Sequence, residues 1–362
     1  MRRHWQREPL LVRGAFPRFR DPLSAREVLA LASSRDTVSR LVQRRGSRWS
    51  VEHGPIPARR LKQLPRRAWT VLVQDTNHFC ARADELLAHF DFLPHARIDD
   101  VMVSYAVPGG GVGPHVDSYD VFLLQGSGRR RWQVSGQKDH SFVPGLDLKI
   151  LERFEPEEEW VLEAGDMLYL PPGVAHNGIA ESECLTWSIG FRAPSDRELM
   201  AGFLDFLHER SEPPGRYADP GVAPARHPGD VPQGMVHHAQ RALASSLRWT
   251  RADVDRFVGR YLSEPKQDAY FTAPVRPLGR AAFERRARAG GLRLDPRSRL
   301  LFSGTMFYLN GEAERVPPRA IARLRALADG RKLEGPLPAT REFWDTVHAW
   351  YLQGFVHAGG KG

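Results

Sequence analysis

Val101-Met102-Val103-Ser104-Tyr105-Ala106-Val107 runs directly into Pro108-Gly109-Gly110-Gly111-Val112-Gly113-Pro114-His115-Val116-Asp117-Ser118-Tyr119. The first seven residues are β-prone, and the proline and glycines that follow punctuate the strand. Strand side chains alternate between faces, so Asp100, Met102, Ser104 and Ala106 share one face, and His115 shares another with Asp117 and Tyr119. An imidazole and a carboxylate so placed can bind one divalent metal, and the glycines before them let the backbone approach without obstruction.

Similar segments recur on either side. Val121–Leu124, Arg131–Val134, Trp160–Leu162, Met167–Leu170 and Leu185–Ile189 are short and β-prone, with Gly, Pro, Ser and Asp clusters between them. Many short strands punctuated in this way predict an antiparallel sandwich or barrel over Arg97–Arg192. Gly165-Asp166-Met167-Leu168-Tyr169-Leu170-Pro171-Pro172-Gly173-Val174-Ala175-His176 is a turn, a strand and a rigid corner ending on a histidine. His115, Asp117 and His176 together make a facial triad, which leaves coordination positions open for other ligands.

An anionic cosubstrate at such a centre needs a cation, and a guanidinium matches a carboxylate with two parallel hydrogen bonds. Arg129, Arg130 and Arg131 follow the turn Gly126-Ser127-Gly128. Parity with Trp132 favours Arg130, although a solvated basic hairpin is the plain reading of such a run. A buried cationic target side chain would need an acid and hydroxyl acceptors. Asp100, Tyr119 and Ser188 fit that need, with Asp120 a rival acid of opposed parity.

The rest of the chain is read more coarsely. To about Pro94, short helical patterns alternate with Arg-rich turns; Ser24 and Glu27 form a capping box, and Phe79–Phe92 reads as one amphipathic helix. Beyond Arg192, Asp196–Glu209 reads as a helix. A Pro/Gly-rich connection (Pro213–Gly234) and a helical stretch from Val236 to Leu262 follow. The end of the chain offers a helix over Phe283–Ala289 and a hairpin over Leu300–Val316 turning at Asn310-Gly311. Two further helices, Arg319–Ala328 and Arg341–Phe355, close it, an arrangement like a winged helix.

Composition bounds what this can be. The chain has 362 residues, 52 Lys+Arg against 43 Asp+Glu and a net charge of +9. With 41% hydrophobic and 26% charged residues it is globular rather than disordered. No apolar run is long enough to span a bilayer, and Met1-Arg2-Arg3-His4-Trp5 lacks the apolar run of a secretory signal. Two isolated cysteines, Cys80 and Cys184, make no disulfide framework; both are expected to be buried, in a protein of the reducing cytoplasm. The basic excess suits a partner from a nucleoprotein assembly.

The runs Gly113-Pro114-His115-Val116-Asp117-Ser118-Tyr119-Asp120-Val121-Phe122 and Gln125-Gly126-Ser127-Gly128-Arg129-Arg130-Arg131-Trp132 carry a resemblance. With Gly190–Pro194, the stretch Asp219-Pro220 to His227-Pro228 and the order of C-terminal elements, they are similar to the bacterial JmjC/cupin ribosomal oxygenases. Those enzymes are 2-oxoglutarate-dependent arginine 3-hydroxylases of large-subunit ribosomal protein L sixteen. The resemblance covers most of the chain and implies an α+β protein. It predicts a double-stranded β-helix (JmjC cupin) catalytic domain over 1–196, a helical dimerisation region over 197–264 and a winged-helix-like domain over 265–362. It also implies Fe(II) on His115, Asp117 and His176, with 2-oxoglutarate and O2 as cosubstrates. Arg130 would anchor 2-oxoglutarate, while Ser104 and Thr186 line the same site. The expected partners are a large-subunit ribosomal protein as substrate and a second copy of the chain. Related eukaryotic enzymes act on histidine, so that residue type is the alternative target. Ala106 stands where the family carries a serine, which removes one hydrogen bond near the cosubstrate.

Two other classes compete. A metabolite-sensing winged-helix regulator would read nucleic acid with Arg319, Arg323 and Arg325. Phe343-Trp344 and Trp350-Tyr351 make the last helix look packed, which weighs against direct nucleic-acid binding. A cupin acting on a small molecule could use the same triad, but the arginine run and the long C-terminal additions favour a protein substrate.

Overall fold

The computed structural model describes residues 2–146, 148–210, 215–337 and 340–359. The strand Ile98–Ala106 lies inside an eight-stranded antiparallel sheet. From edge to edge the order is Leu10–Val12, Met167–Leu170, Asp120–Gln125, Cys184–Phe191, Ile98–Ala106, Trp69–Val73, Ser39–Arg45 and Arg48–His53. A three-stranded sheet, Ala175–Ala180, Arg130–Ser135 and Glu158–Leu162, closes over one face. Val121 and Leu123 of the large sheet meet Trp132, Val134 and Leu162 of the small one.

Alternation explains how one strand serves two environments. Val101, Val103 and Tyr105 enter the outer core with Leu124, Trp187 and Ile189, under the helices Ala25–Ala32 and Ala81–Leu87. Met102 and Ser104, one step out of phase, face the space between the sheets. Trp187 is fully buried and its indole N–H donates to Asp21 at 2.7 Å. Each such large apolar side chain contributes about 1.5–3 kcal/mol to holding the sheets together. The result is a double-stranded β-helix.

The N-terminal part departs from the expectation of helices and turns. Ser39–Arg45, Arg48–His53 and Trp69–Val73 are strands that extend the large sheet. Exposed Arg44, Arg45 and Arg48 at the outer turn hide the alternation of Ser39, Leu41 and Gln43, which are buried. The Ser24–Glu27 capping box is present. The expected helix Phe79–Phe92 is shorter, Ala81–Leu87, followed by a 3-10 turn at Ala88–Phe90.

Asp196–Arg210 is a helix, while the expected stretch Val236–Leu262 is two, Gln233–Ser246 and Arg251–Ser263. Thr250 starts the second: its hydroxyl accepts from the Asp253 amide, and Asp253 answers to the Thr250 amide. Of the expected connection Pro213–Gly234, residues 213–214 lie outside the described residues.

The C-terminal unit is a winged helix. The helices Arg280–Gly290, Pro318–Gly330 and Arg341–Leu352 enclose Phe283, Leu324, Phe343 and Trp344, and Trp350 and Tyr351 are buried as the sequence suggests. The expected hairpin is a three-stranded meander, Leu300–Ser303, Met306–Leu309 and Glu312–Arg315. Asn310-Gly311 joins the last two strands with φ of +53° and +88°, both positive as a tight two-residue hairpin requires. The unforeseen turn is at Gly304, where φ is +60°. Among the described residues no helix is long and apolar enough to cross a membrane. Cys184 is buried, but Cys80 is only half-buried.

Candidate metal centre and cosubstrate cavity

His115 and Asp117 are not on a continuous strand. His115 forms an isolated bridge with His176, each backbone N–H donating to the other's carbonyl at 2.9 Å. Asp117 follows in a loop where its carbonyl accepts from the Gly173 amide at 2.8 Å. A backbone bridge, rather than the pleat of one strand, therefore gathers the three side chains. One ligand atom from each of His115, Asp117 and His176 lies within 4.8 Å of the others. Nε2 of His176 is 3.5 Å and Nε2 of His115 is 3.9 Å from Asp117 Oδ2.

The imidazoles are oriented for coordination. Nδ1 of His115 lies 2.9 Å from the Gly113 carbonyl, and Nδ1 of His176 lies 2.9 Å from that of Val174. A carbonyl only accepts, so each Nδ1 carries the proton and each Nε2 keeps its lone pair toward Asp117. Burial, with His115 alongside, holds the His176 pKa down to about 4, so the ring is neutral, as a ligand must be. Two imidazole nitrogens and one carboxylate oxygen suit a first-row divalent ion such as Fe(II).

The centre opens into a cavity of about 400 Å³ between the sheets. At one end stands Arg130, on the strand Arg130–Ser135, only 5% exposed. Its Nη2 lies 3.7 Å from Cys184 Sγ, its Nε has no hydrogen-bond partner, and no carboxylate pairs with it among the described residues. A buried cation without a counter-charge is costly, so this end of the cavity suits an anionic group. The flanking arginines face outward instead: Arg131 pairs with Glu159 and Glu181, and Arg129 with Glu181.

Ser104 and Thr186 face each other in register across adjacent strands and both line the cavity. Thr186 Oγ1 donates to Gln125 Oε1 at 3.1 Å, while Gln125 Nε2 donates to the carbonyls of Ser127 and Leu185. At the other end lie Asp100, Tyr119 and Ser188. Burial raises Asp100 to about 6, and burial with Asp117 alongside keeps the Tyr119 phenol protonated. Asp120 points away and is fully engaged, by Tyr169 at 2.6 Å, Arg97 at 2.9 Å and Gln6 at 3.0 Å.

Sequence reasoning missed several wall residues. Arg40 and Thr70 reach the cavity from strands that were not expected, and Gln74 from just past the end of the second. Their signal was the period-two spacing of Arg40 with Val42, and of Thr70, Leu72 and Gln74. Asp75, Asp99 and Lys266 also gather beside Asp100, with ion-pair distances of 2.9–3.6 Å to the lysine.

Residues 85–199 match the JmjC domain family and residues 246–357 match the ROXA-like winged helix. The ribosomal protein uL16 3-hydroxylase of Escherichia coli (strain K12) is 38% identical over 330 residues, 88% of this chain and 85% of that protein. A probable ribosomal oxygenase of Haemophilus influenzae is 38% identical over 58% of this chain and 53% of its own. The solved structure of the E. coli ribosomal oxygenase YcfD with cobalt and 2-oxoglutarate superposes with a TM-score of 0.82 at 34% identity. That match covers 99% of this chain and 97% of the other. On the strength of similarity over nearly the whole length, this chain belongs to the JmjC ribosomal oxygenases.

Proposed function

We propose that this chain is an Fe(II)- and 2-oxoglutarate-dependent hydroxylase that places a hydroxyl on C3 of an arginine in a large-subunit ribosomal protein, uL16 by similarity. The carrying observation is the His115–Asp117–His176 cluster in one cavity with the buried Arg130, which meets no carboxylate among the described residues. Bound there, the iron with 2-oxoglutarate and dioxygen supplies an oxidant that replaces a C–H hydrogen by hydroxyl, while 2-oxoglutarate becomes succinate and carbon dioxide. Arg130 would hold the distal carboxylate, a guanidinium being matched to that group, and its buried charge would be relieved. The Thr186 proton is committed to Gln125, so Ser104 is the hydroxyl left to donate toward the cosubstrate. Asp100 accepts from the substrate guanidinium, with Tyr119 and Ser188 completing the wall. His115 and His176 keep their coordinating nitrogens free through the carbonyls behind them.

We read the chain as three units, 1–196, 197–264 and 265–362. Separate buried clusters support this division, including one of Phe206, Leu207 and Phe257 in the middle unit. The helix Gln233–Ser246 has no buried residue and exposes Met235, Val236 and Leu243. A second copy of the chain is our assignment for its partner, and a monomeric mass in sedimentation would overturn it. A cytoplasmic location and no direct nucleic-acid contact complete the reading. Arg325 is held by the Gly304 carbonyl, and the last helix spends its aromatic residues inside the domain.

The deciding experiment is mass spectrometry of a uL16 fragment incubated with enzyme, Fe(II), 2-oxoglutarate and oxygen. The expected result is one added oxygen on an arginine, absent without cosubstrate. Oxygen on a histidine replaces the target. Consumption of 2-oxoglutarate with an unmodified fragment discards the substrate. No consumption overturns the enzyme reading.

A further inference from the structure

Lys266 belongs to neither sheet of the catalytic domain, yet its ammonium pairs with acids of the cavity wall. The helix Arg251–Ser263 stops at Glu264, whose ψ of 127° is the extended conformation that a residue before proline takes. Past Pro265, Lys266 turns toward the start of the strand Ile98–Ala106. Its Nζ lies 2.9 Å from Asp75 Oδ1, 3.4 Å from Asp99 Oδ1 and 3.6 Å from Asp100 Oδ2. Asp75 sits in a left-handed turn, φ +52°, and its backbone N–H donates to Asp100 Oδ2 at 3.2 Å. One oxygen of Asp100 is thus held from two sides. The other, Oδ1, lies 3.4 Å from the place where a Cβ on Gly190 would stand, at the cavity wall.

We propose that Lys266 is a positioning residue for substrate recognition: by pairing with Asp100 from behind, it keeps one oxygen of that carboxylate turned into the cavity, and so makes the cavity select a cationic side chain. The inference rests on the reading of the chain as a hydroxylase of a basic ribosomal protein. Three carboxylates, set against the ammonium of Lys266 and the guanidinium of Arg299 behind Asp99, leave one negative charge in excess on a chain whose net charge is +9. That surplus reconciles a basic enzyme with a basic substrate. Burial and the neighbouring Asp75 and Asp99 push Asp100 toward its neutral form, and Lys266 is the strongest influence against them. A neutral Asp100 would present a hydroxyl and lose its attraction for a guanidinium. The arrangement also makes the segment after the helical region a part of the substrate site, contributed from far along the chain.

The test is calorimetric binding to the full chain loaded with Mn(II) and 2-oxoglutarate. The probes are a uL16 peptide carrying one arginine and the same peptide with citrulline in its place. Wild type is expected to prefer the arginine peptide. Lys266→Met is expected to lose about tenfold of that preference, equivalent to one pKa unit at the acid it supports, while 2-oxoglutarate affinity stays unchanged. Lys266→Arg is expected to restore it. Undiminished discrimination in Lys266→Met overturns the inference. So does a parallel loss of 2-oxoglutarate affinity and melting temperature, which would mark a purely structural lysine. A wild type that binds 2-oxoglutarate but ignores the arginine overturns this inference and the arginine substrate while leaving the oxygenase. A wild type that discriminates the peptides without binding 2-oxoglutarate breaks the oxygenase reading and leaves this one supported.

Discussion

At one end of the cavity Arg130 is buried, and among the described residues no carboxylate meets it. At the other end Asp75, Asp99 and Asp100 crowd around the ammonium of Lys266. The two ends differ in where their compensation comes from. The acidic end carries its own counter-ion and one spare oxygen, so it can stand without ligand. Among the described residues the cationic end has the Cys184 sulfur and the face of Trp132 beside it, 5.7 Å from the ring centroid, and no acid, so an entering anion would supply its counter-charge. On the proposed function, the His115–Asp117–His176 cluster lies between the two ends and acts on what they bring together.

The comparison can be broken first at its centre. Asp117→Ala is expected to reduce hydroxylation by more than about a hundredfold, since loss of outer-shell partners alone costs 10–100-fold at such sites. The backbone bond from Gly173 to the residue 117 carbonyl survives this substitution, so circular dichroism should be unchanged. Normal turnover in the folded variant would sink the triad. Next comes the cationic end. Arg130→Met is expected to weaken 2-oxoglutarate binding by about 3 kcal/mol, roughly a hundredfold, with affinity for the arginine peptide unaffected. The variant should melt no lower than wild type without ligand, because it removes an uncompensated buried charge. A matching loss of peptide affinity would show that the two ends are not independent.

The acidic end is probed by pH. Asp100 is raised to about 6, chiefly by burial, from an ordinary value near 3.8. The folded chain therefore binds this proton more tightly than the unfolded chain does. Its contribution to stability grows as pH falls through the window from about 6 to 3.8 and is least above it. Cation recognition runs the other way. Affinity for the arginine peptide should fall by about tenfold between pH 7 and pH 5, while that for the citrulline peptide stays flat. Parallel curves for both peptides would remove Asp100 from the substrate contact.

The ends also differ in how much of them the sequence discloses. Arg130 could be singled out because a strand alternates: Arg130 and Trp132 face in, while Arg131 faces Glu159 and Glu181 outside. The same alternation set Asp100, Ser104 and Ser188 on the cavity wall and turned Asp120 away. His115 and Asp117 were legible as a spacing, although the structure unites them through a bridge to His176 instead of a pleat. Lys266 was invisible, since its approach depends on a helix ending just before Pro265, more than 160 residues beyond the acids it meets. Arg40 and Thr70 were missed because the arginines of an outer turn hid the strands that carry them. Periodicity reports what lies along one strand; it says nothing of what a distant segment folds against it.

Gly190 allows the finest cut between fold and recognition. It lies in the strand Cys184–Phe191, where every residue is buried, and it lines the cavity beside Asp100 and Tyr119. A Cβ there would meet Asp100 Oδ1 at 3.4 Å, Asp99 Cβ at 3.7 Å and Tyr119 Cε2 at 3.9 Å, ordinary contacts that need no rearrangement. Its φ is not in the left-handed region, so alanine is free of backbone strain. Gly190→Ala should therefore leave the melting temperature equal or slightly higher, as glycine in a strand costs about 0.5–1 kcal/mol relative to alanine. The added methyl stands where a guanidinium would approach Asp100 Oδ1. The KM for the arginine peptide should rise severalfold, with the KM for 2-oxoglutarate unchanged, because Arg130 is at the far end. If peptide KM is unmoved while the variant folds normally, the substrate side chain does not pass Gly190, and the acidic end must take its cation from the Asp99 side.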